Sequence, residues 1–270
     1  MNDNPRQPVI AKEGWPFIGA SVALMALFLA ISVYLGLFGV LLVAFVTQFF
    51  RDPIRERGSD DPRAVLSAAD GRIVAIEETV DPFREEPAIK ISVFMNVFNV
   101  HSNKSPCSGA VEEARYIPGR FLNAALEKSS VENERNAVLL RTDSGHKVTF
   151  VQIAGLVARR IVCYARKDDR LKAGERYGLI RFGSRVDHYV PVGSDVQVAI
   201  GDKVKGVETV LAMLPKTARG AGAESAPGEA IESGAENGAE GGESGPDSAA
   251  PGDAATRGEA ASAAKRGDQD

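Results

Sequence analysis

The feature that most constrains this chain is a run of 36 residues, 15–50, that contains no charged side chain. About 20 apolar residues suffice to cross a bilayer once, so the run is longer than one span requires. It is also too long for a secretory signal peptide. Two arrangements fit: a tight membrane hairpin that turns near Gly36 and Gly39, or a single tilted span followed by an interfacial stretch.

Basic residues lie on both sides of this run, namely Arg6, Lys12, Arg51 and Arg55. Cytoplasmic flanks of membrane segments carry an excess of Lys and Arg, and a hairpin with both ends in the cytoplasm satisfies this tendency better than a single span. We therefore expect residues 1–50 to form a membrane anchor. The rest of the chain is expected to face the cytoplasm at the cell membrane.

Residues 51–64 are polar and punctuated by proline, which predicts a linker. From residue 65 to 216 the apolar residues alternate in short segments such as 72–76 and 88–94, a pattern typical of β-strands. The polar stretch 142–145 separates two such segments and predicts a hairpin turn. The expected fold class is a mainly β (α+β) domain with short helices, large enough for one hydrophobic core.

The tail, residues 217–270, contains 4 basic and 11 acidic residues and no aromatic ones. Such a segment cannot bury enough apolar surface to offset its ordering entropy, so it is expected to be disordered. The middle of the chain, 51–216, has 26 basic and 23 acidic residues, which is mildly compatible with an anionic membrane surface and too little excess for nucleic-acid binding. Two cysteines and three histidines, none paired at ligand spacing, argue against a disulfide scaffold or a metal site.

The chemistry is concentrated in residues 178–187 (GLIRFGSRVD), which contain the pair Gly183 and Ser184. A Gly-Ser peptide bond can cleave itself when the serine hydroxyl attacks the preceding glycine carbonyl, which is the least hindered one. The resulting ester loses its acyl group by β-elimination, and dehydroalanine then hydrolyses to a pyruvoyl group with loss of ammonia. A pyruvoyl carbonyl forms a Schiff base with an amine and serves as an electron sink.

Residues 182–187 (FGSRVD) resemble the short, bacterial and archaeal type of phosphatidylserine decarboxylase, and so do four other segments. They are residues 67–73 (SAADGRI), 94–103 (FMNVFNVHSN), 116–124 (YIPGRFLNA) and 132–136 (ENERN). The first has Ala68 where the family usually has proline. Order and spacing agree over residues 49–212, and the tail lies outside the resemblance.

The resemblance implies an Asp–His–Ser arrangement that acts on its own backbone. Ser184 is the attacking hydroxyl and then the pyruvoyl cofactor, His101 is the general base, and Asp70 orients the histidine and stabilises its charge. Longer members of the family carry a second histidine three residues after the first, and this chain has Lys104 there. His101 is therefore expected to serve both self-cleavage and the later chemistry, without a metal.

The resemblance also implies the substrate and the products. Phosphatidylserine would be converted to phosphatidylethanolamine and CO2, and chains 1–183 and 184–270 would remain associated after cleavage. Lys104, Arg120, Arg135 and Arg185 are candidate partners for the substrate phosphate. Two alternatives stay open: an archaeal ether-linked substrate, or a membrane-anchored β-domain without catalytic activity.

Overall fold

The computed structural model describes residues 9–122, 124, 132–155, 161–181 and 184–216. Gly183, on one side of the predicted cut, lies outside the described residues, as does the predicted disordered tail, 217–270.

The chain begins with a helical hairpin. A short 3-10 turn, Lys12–Gly14, leads into α1, Trp15–Ile31, which is followed by α2, Val33–Phe49. One segment, Lys12–Ile31, is long and apolar enough to cross a membrane, and α2 is a shorter apolar helix. The hairpin arrangement considered from the sequence is therefore the one adopted.

The hairpin turns at Ser32, not near Gly36 and Gly39 as the sequence suggested. Ser32 is extended (φ −161°, ψ 141°), and its side chain accepts a hydrogen bond from the backbone N–H of Tyr34. Both glycines instead lie where α2 crosses α1: a Cβ at Gly39 would come within 2.8 Å of the Cα of Met25. Glycine is required here for close helix packing.

The two ends of the hairpin are hydrogen-bonded to each other. The N–H of Ala11 donates to the carbonyl of Phe50 at 2.8 Å, and the N–H of Asp52 donates to the carbonyl of Val9 at 2.6 Å. Both ends therefore lie on the same side of the helix pair.

The remainder of the described chain is built mainly from β-strands, as predicted. The strands are β1, Ala64–Leu66; β2, Gly71–Val80; β3, Pro87–Met95; β4, Ser102–Lys104; β5, Gly109–Ile117; β6, Arg135–Thr142; β7, Lys147–Ile153; β8, Ile161–Cys163; β9, Arg170–Leu171; β10, Arg176–Ile180; β11, Ser184–Pro191; β12, Asp195–Val196; β13, Lys203–Val204; and β14, Val210–Met213. The expected turn at 142–145 joins β6 to β7.

Within the described residues the strands form one large sheet, ordered β13-β2-β3-β11-β7-β6-β5-β9, and two small ones, β1-β14-β12 and β4-β10-β8. The main core contains buried aliphatic and aromatic side chains from all three, among them Ile91, Val186 and Tyr177. Such a continuous apolar core is the largest source of stability in a domain of this size.

The chain changes sheets between β10 and β11. β10 ends at Ile180 in a small sheet, and β11 begins at Ser184 in the middle of the large one. Residues 181–183 connect the two strands in the sequence, and the predicted cut is the peptide bond between residue 183 and Ser184, where β11 begins. β11 pairs with β3 on one side and β7 on the other, so the strand that follows the cut is held by strands that precede it.

Residues 51–64 contain neither helix nor strand until β1, yet they are not a free linker. Asp52 is buried, Arg55 is ion-paired with Asp70, and the N–H of Gly58 donates to the carbonyl of Val207 at 3.0 Å. The segment therefore fixes the hairpin against the β-domain.

Candidate active site

Ser184 is the first residue of β11 and is fully buried. It lies opposite Met95, the last residue of β3, in the antiparallel register. Among the described residues its hydroxyl oxygen has no hydrogen-bond partner. Buried hydroxyls are normally satisfied, so the unpartnered oxygen of Ser184 is a candidate for reaction.

His101 is also fully buried, immediately before β4. Its Nδ1 donates to the carbonyl oxygen of Asn99 at 2.9 Å, which fixes the tautomer with Nε2 unprotonated. Nε2 is buried and has no hydrogen-bond partner within the described part of the chain. Burial lowers the pKa of His101 to about 4, against the opposing effects of the Asn99 hydrogen bond and the Asp70 charge. The imidazole is therefore neutral at physiological pH and can accept a proton at Nε2.

The helical hairpin contributes to this burial. The ring of Phe49, the last residue of α2, lies 4.1 Å from the imidazole of His101, measured between ring centroids. Phe49 and Phe50 are themselves buried in a cluster with Ala11 and Leu179. The base of the hairpin thus covers the histidine on one side.

His101 and Ser184 lie near the same crossing point of the chain. The carbonyl of His101 accepts a hydrogen bond from the N–H of Ile180 at 3.3 Å. Ser184 follows Ile180 by four residues, a span of at most roughly 14 Å. The side-chain amide of Asn103, two residues after His101, contacts the sulfur of Met95 at 3.8 Å. Met95 is the residue that lies opposite Ser184. The fold thus brings the predicted base and nucleophile into one region.

Asp70 has partners other than the predicted one. Its Oδ2 accepts from Arg55 Nη2 at 2.8 Å, its Oδ1 forms a second contact with Arg55, and the N–H of Gly206 donates to Oδ1 at 2.8 Å. The Nδ1 of His101, which a triad aspartate would engage, is bonded to Asn99 instead. Asp70 therefore acts on His101 in this structure only through its charge, which raises the histidine pKa.

A buried carboxylate that the sequence reasoning did not identify lies at the base of the hairpin. Asp52 accepts hydrogen bonds from the hydroxyl of Ser102 and the ammonium of Lys104, each at 2.7 Å. Arg176 lies 3.7 Å from the same carboxylate and 2.6 Å from Glu13. These ion pairs join the chain on both sides of the hairpin to β4 and β10.

The cations proposed for phosphate binding differ in availability. Lys104 is paired with Asp52, and Arg185 is buried against Asp187 at 2.8 Å. Arg135 donates to the backbone carbonyl of Asn133 at 3.1 Å. Arg120 is mainly exposed and lies 3.7 Å from Glu132. Lys104 is the one nearest in sequence to His101, and burial lowers its pKa.

His188 lies in the middle of β11, three residues after Arg185. The structure gives it a structural role: Nε2 accepts from the N–H of Ala68 at 3.0 Å, and Nδ1 donates to the carbonyl of Ile91 at 3.3 Å. The ring therefore attaches the segment that precedes Asp70 to the large sheet. Burial lowers the pKa of His188 to about 4.

Three residues that shape this region were missed: Phe49, Asp52 and His188. Phe49 and Asp52 lie where an apolar segment meets a polar one, and no sequence motif marks their contacts with the start of β4. His188 carried a usable signal, because it occupies an apolar position of a buried strand. A polar residue at such a position has to find hydrogen-bond partners.

The chain is similar in sequence to known proteins. Residues 42–212 match the sequence model of a family described as phosphatidylserine decarboxylase. The phosphatidylserine decarboxylase proenzyme of Neisseria meningitidis serogroup C (strain 053442) is 56% identical over 221 residues, covering 81% of this chain and 82% of the relative. The proenzyme of the same name from Burkholderia mallei (strain SAVP1) is 56% identical over 218 residues, 79% of this chain and 99% of the relative.

Proposed function

Because this chain belongs to the phosphatidylserine decarboxylase family, we propose that it converts phosphatidylserine to phosphatidylethanolamine and CO2 after cutting itself between Gly183 and Ser184. The observation that carries the proposal is the pair of buried, unpartnered atoms, Ser184 Oγ and His101 Nε2, at the crossing between two sheets of the described chain.

Self-cleavage follows from the chemistry of these residues. Ser184 Oγ attacks the carbonyl carbon of Gly183, the C–N bond between the two residues breaks, and an ester forms. Neutral His101 takes the hydroxyl proton and returns it to the amine released at residue 184. Loss of the α-proton of residue 184 then expels chain 1–183 as a carboxylate. The dehydroalanine left behind tautomerises to an imine, and water converts it to a pyruvoyl group and ammonia.

The buried hydroxyl of Ser184 fits this origin of the cofactor, since the site is dry and its oxygen is not engaged by another described residue. A pyruvoyl group at this position supplies the electron sink for decarboxylation of an α-amino acid. His101, which is neutral at rest, can deliver a proton at the substrate α-carbon after its Nε2 has taken one up from the substrate ammonium. Asp70 favours the protonated histidine through its charge.

The strand pairing supports a stable two-chain product. β11 would belong to the small chain, and it pairs with β3 and β7 of the large chain. β13 and β14, also after the cut, pair with β2 and β1. Separating the chains would require breaking the centre of the large sheet, so they are expected to remain a heterodimer.

The helical hairpin supports attachment to the membrane. Residues 15–50 carry no charge, and the two ends of the hairpin lie on one side. With basic residues at both ends, the positive-inside tendency favours the β-domain on the cytoplasmic side. The domain would then reach its lipid substrate from the cytoplasmic leaflet.

Mass spectrometry of the purified protein tests the proposal. The wild-type protein should yield two chains cut after Gly183, with a small chain that reacts with carbonyl reagents. Ser184→Ala should yield one chain of full length, about 28.7 kDa, without decarboxylase activity. A Ser184→Ala protein that splits at the same bond contradicts the proposed nucleophile. An intact wild-type chain without a reactive carbonyl would instead favour the non-catalytic alternative.

A further inference from the structure

The turn between β3 and β4 displays a large apolar ring at its tip. Phe98 is 67% exposed. The turn around it is held by its own hydrogen bonds: Asn96 Oδ1 accepts from the N–H of Phe98 at 2.9 Å, and Asn99 Oδ1 accepts from the N–H of Asn96 at 2.9 Å. The backbone is thus ordered around a side chain that is not buried by the protein.

This turn lies beside the last two turns of α2. The rings of Phe98 and Phe45 meet edge to face, with centroids 6.5 Å apart. Arg51 joins the two elements, because its guanidinium donates to the carbonyl of Phe98 at 2.8 Å and to that of Gln48 at 2.7 Å. Phe45 precedes the end of α2 at Phe49 by four residues, about 6 Å along the helix axis. The ring of Phe98 therefore lies beside α2, about one helical turn before the end of that helix.

The surface of the hairpin around this contact is apolar. Exposed large side chains of α2 include Leu37, Phe38, Val40 and Leu41. A helix surface of this kind is stable in contact with acyl chains, and aromatic residues near its ends are typical of the boundary between hydrocarbon and headgroups. A ring that touches Phe45 lies in the same surroundings as Phe45.

From these contacts we propose that the turn formed by residues 96–99 inserts Phe98 into a phospholipid bilayer. The β-domain would thereby have a membrane contact of its own, separate from the hairpin helices. The inference rests on the membrane attachment proposed above, and it adds the depth at which the β-domain contacts the bilayer. His101, two residues after Asn99, would be held just beneath the headgroups, so that a lipid amine and carboxylate could reach it while the acyl chains stay in the bilayer.

Tryptophan fluorescence in vesicles can test this placement, because Trp15 is the only tryptophan of the chain. In a full-length Trp15→Phe background, one protein carries Phe98→Trp. A matched control carries Val80→Trp, at the exposed last position of β2, which pairs with the first residue of β3. Since Val80 pairs with Pro87, it lies about 26 Å from Met95 along the strand. A third protein carries Phe38→Trp and reports on α2 itself.

The vesicles contain phosphatidylcholine and phosphatidylglycerol with bromine atoms either near the headgroup or deep in the acyl chains. We expect the emission of Phe98→Trp to be blue-shifted and quenched, more by the shallow bromines than by the deep ones, and that of Val80→Trp to be unaffected. If Phe38→Trp is quenched while Phe98→Trp behaves like Val80→Trp, the insertion of the turn is wrong and the membrane hairpin stands. If Phe38→Trp is not quenched either, the membrane attachment itself is overturned.

Discussion

His101 and His188 lie in two different regions of the domain, and the two regions bury their histidine to the same extent. Both rings are fully buried, and burial lowers the pKa of each to about 4. In both, Nδ1 donates to a backbone carbonyl, that of Asn99 or that of Ile91. The difference is at Nε2, which accepts from the N–H of Ala68 in His188 and has no described partner in His101.

Neither burial nor a lowered pKa separates His101, proposed above as the general base, from the structural His188. The ring whose two nitrogens are both satisfied holds two parts of the fold together. The ring whose Nε2 has no partner among the described residues has an acceptor available for chemistry, and the hydroxyl of Ser184 is likewise without a described partner. Four substitutions test this difference between the two histidines, and they follow in decreasing order of their expected effect on self-cleavage.

The largest effect is expected from His101→Ala. Loss of a positioned general base should slow self-cleavage by about 10²-fold to 10⁴-fold. The rate is measured from the loss of full-length chain on gels after synthesis in a cell-free system. Thermal unfolding of the accumulated precursor checks that it is folded. Cleavage at the wild-type rate by a folded His101→Ala protein would remove His101 from the mechanism.

Asp70→Asn should slow cleavage less than His101→Ala does, because it removes a charge that raises the pKa of His101 and so stabilises the protonated ring. The same substitution also breaks the pair with Arg55. Arg55→Gln is the matched control, since it breaks that pair while keeping the carboxylate. Equal slowing by the two variants would show that Asp70 acts through the ion pair alone.

The sequence predicted the β-domain, and it led to the proposed position of the cut, because both rest on local features. Alternating apolar residues report directly on strands, and a Gly-Ser pair is a contiguous reactive unit. The partner of Asp70 could not be predicted in this way. Arg55 lies 15 residues away in a segment interpreted as a linker, and its contact with Asp70 depends on how that segment packs.

The hairpin shows the same limit. Its apolar length was evident from the sequence, but the glycines suggested the wrong turn, because glycine serves close packing as well as chain reversal. The contact between Phe49 and His101 could not be predicted from the sequence, because the two residues are 52 positions apart.

Phe49→Ala should affect self-cleavage less than Asp70→Asn and more than His188→Ala, because water could then reach His101. Because burial is what lowers the pKa of His101 to about 4, the pKa should rise toward the ordinary value of 6.5. The chain has three histidines, so ¹³C NMR of labelled imidazoles in the uncleaved Ser184→Ala protein can follow each one. Phe38→Ala, at an exposed α2 position, is the control. An unchanged His101 titration in Phe49→Ala would show that the hairpin does not determine its protonation.

The smallest effect on cleavage is expected from His188→Ala, together with a clear effect on stability. The N–H of Ala68 and the carbonyl of Ile91 would lose their partners in a buried site, which should lower the free energy of unfolding by roughly 2–4 kcal/mol. Once the variant is folded, its cleavage rate should stay within about threefold of wild type, because the ring touches no reacting atom.

The pH dependence of stability gives this last prediction its sharpest form. The folded-state pKa of His188 lies below the ordinary 6.5, so its contribution to stability is complete above pH 6.5 and is lost as the pH falls toward 4. For one histidine this loss amounts to at most about 3 kcal/mol. Thermal unfolding in detergent from pH 7 to pH 4, in the Ser184→Ala background, should therefore show a weaker pH dependence in the His188→Ala protein. An unchanged pH dependence, or cleavage slowed as much as in His101→Ala, would mean that the two histidines do not divide structure and chemistry between them.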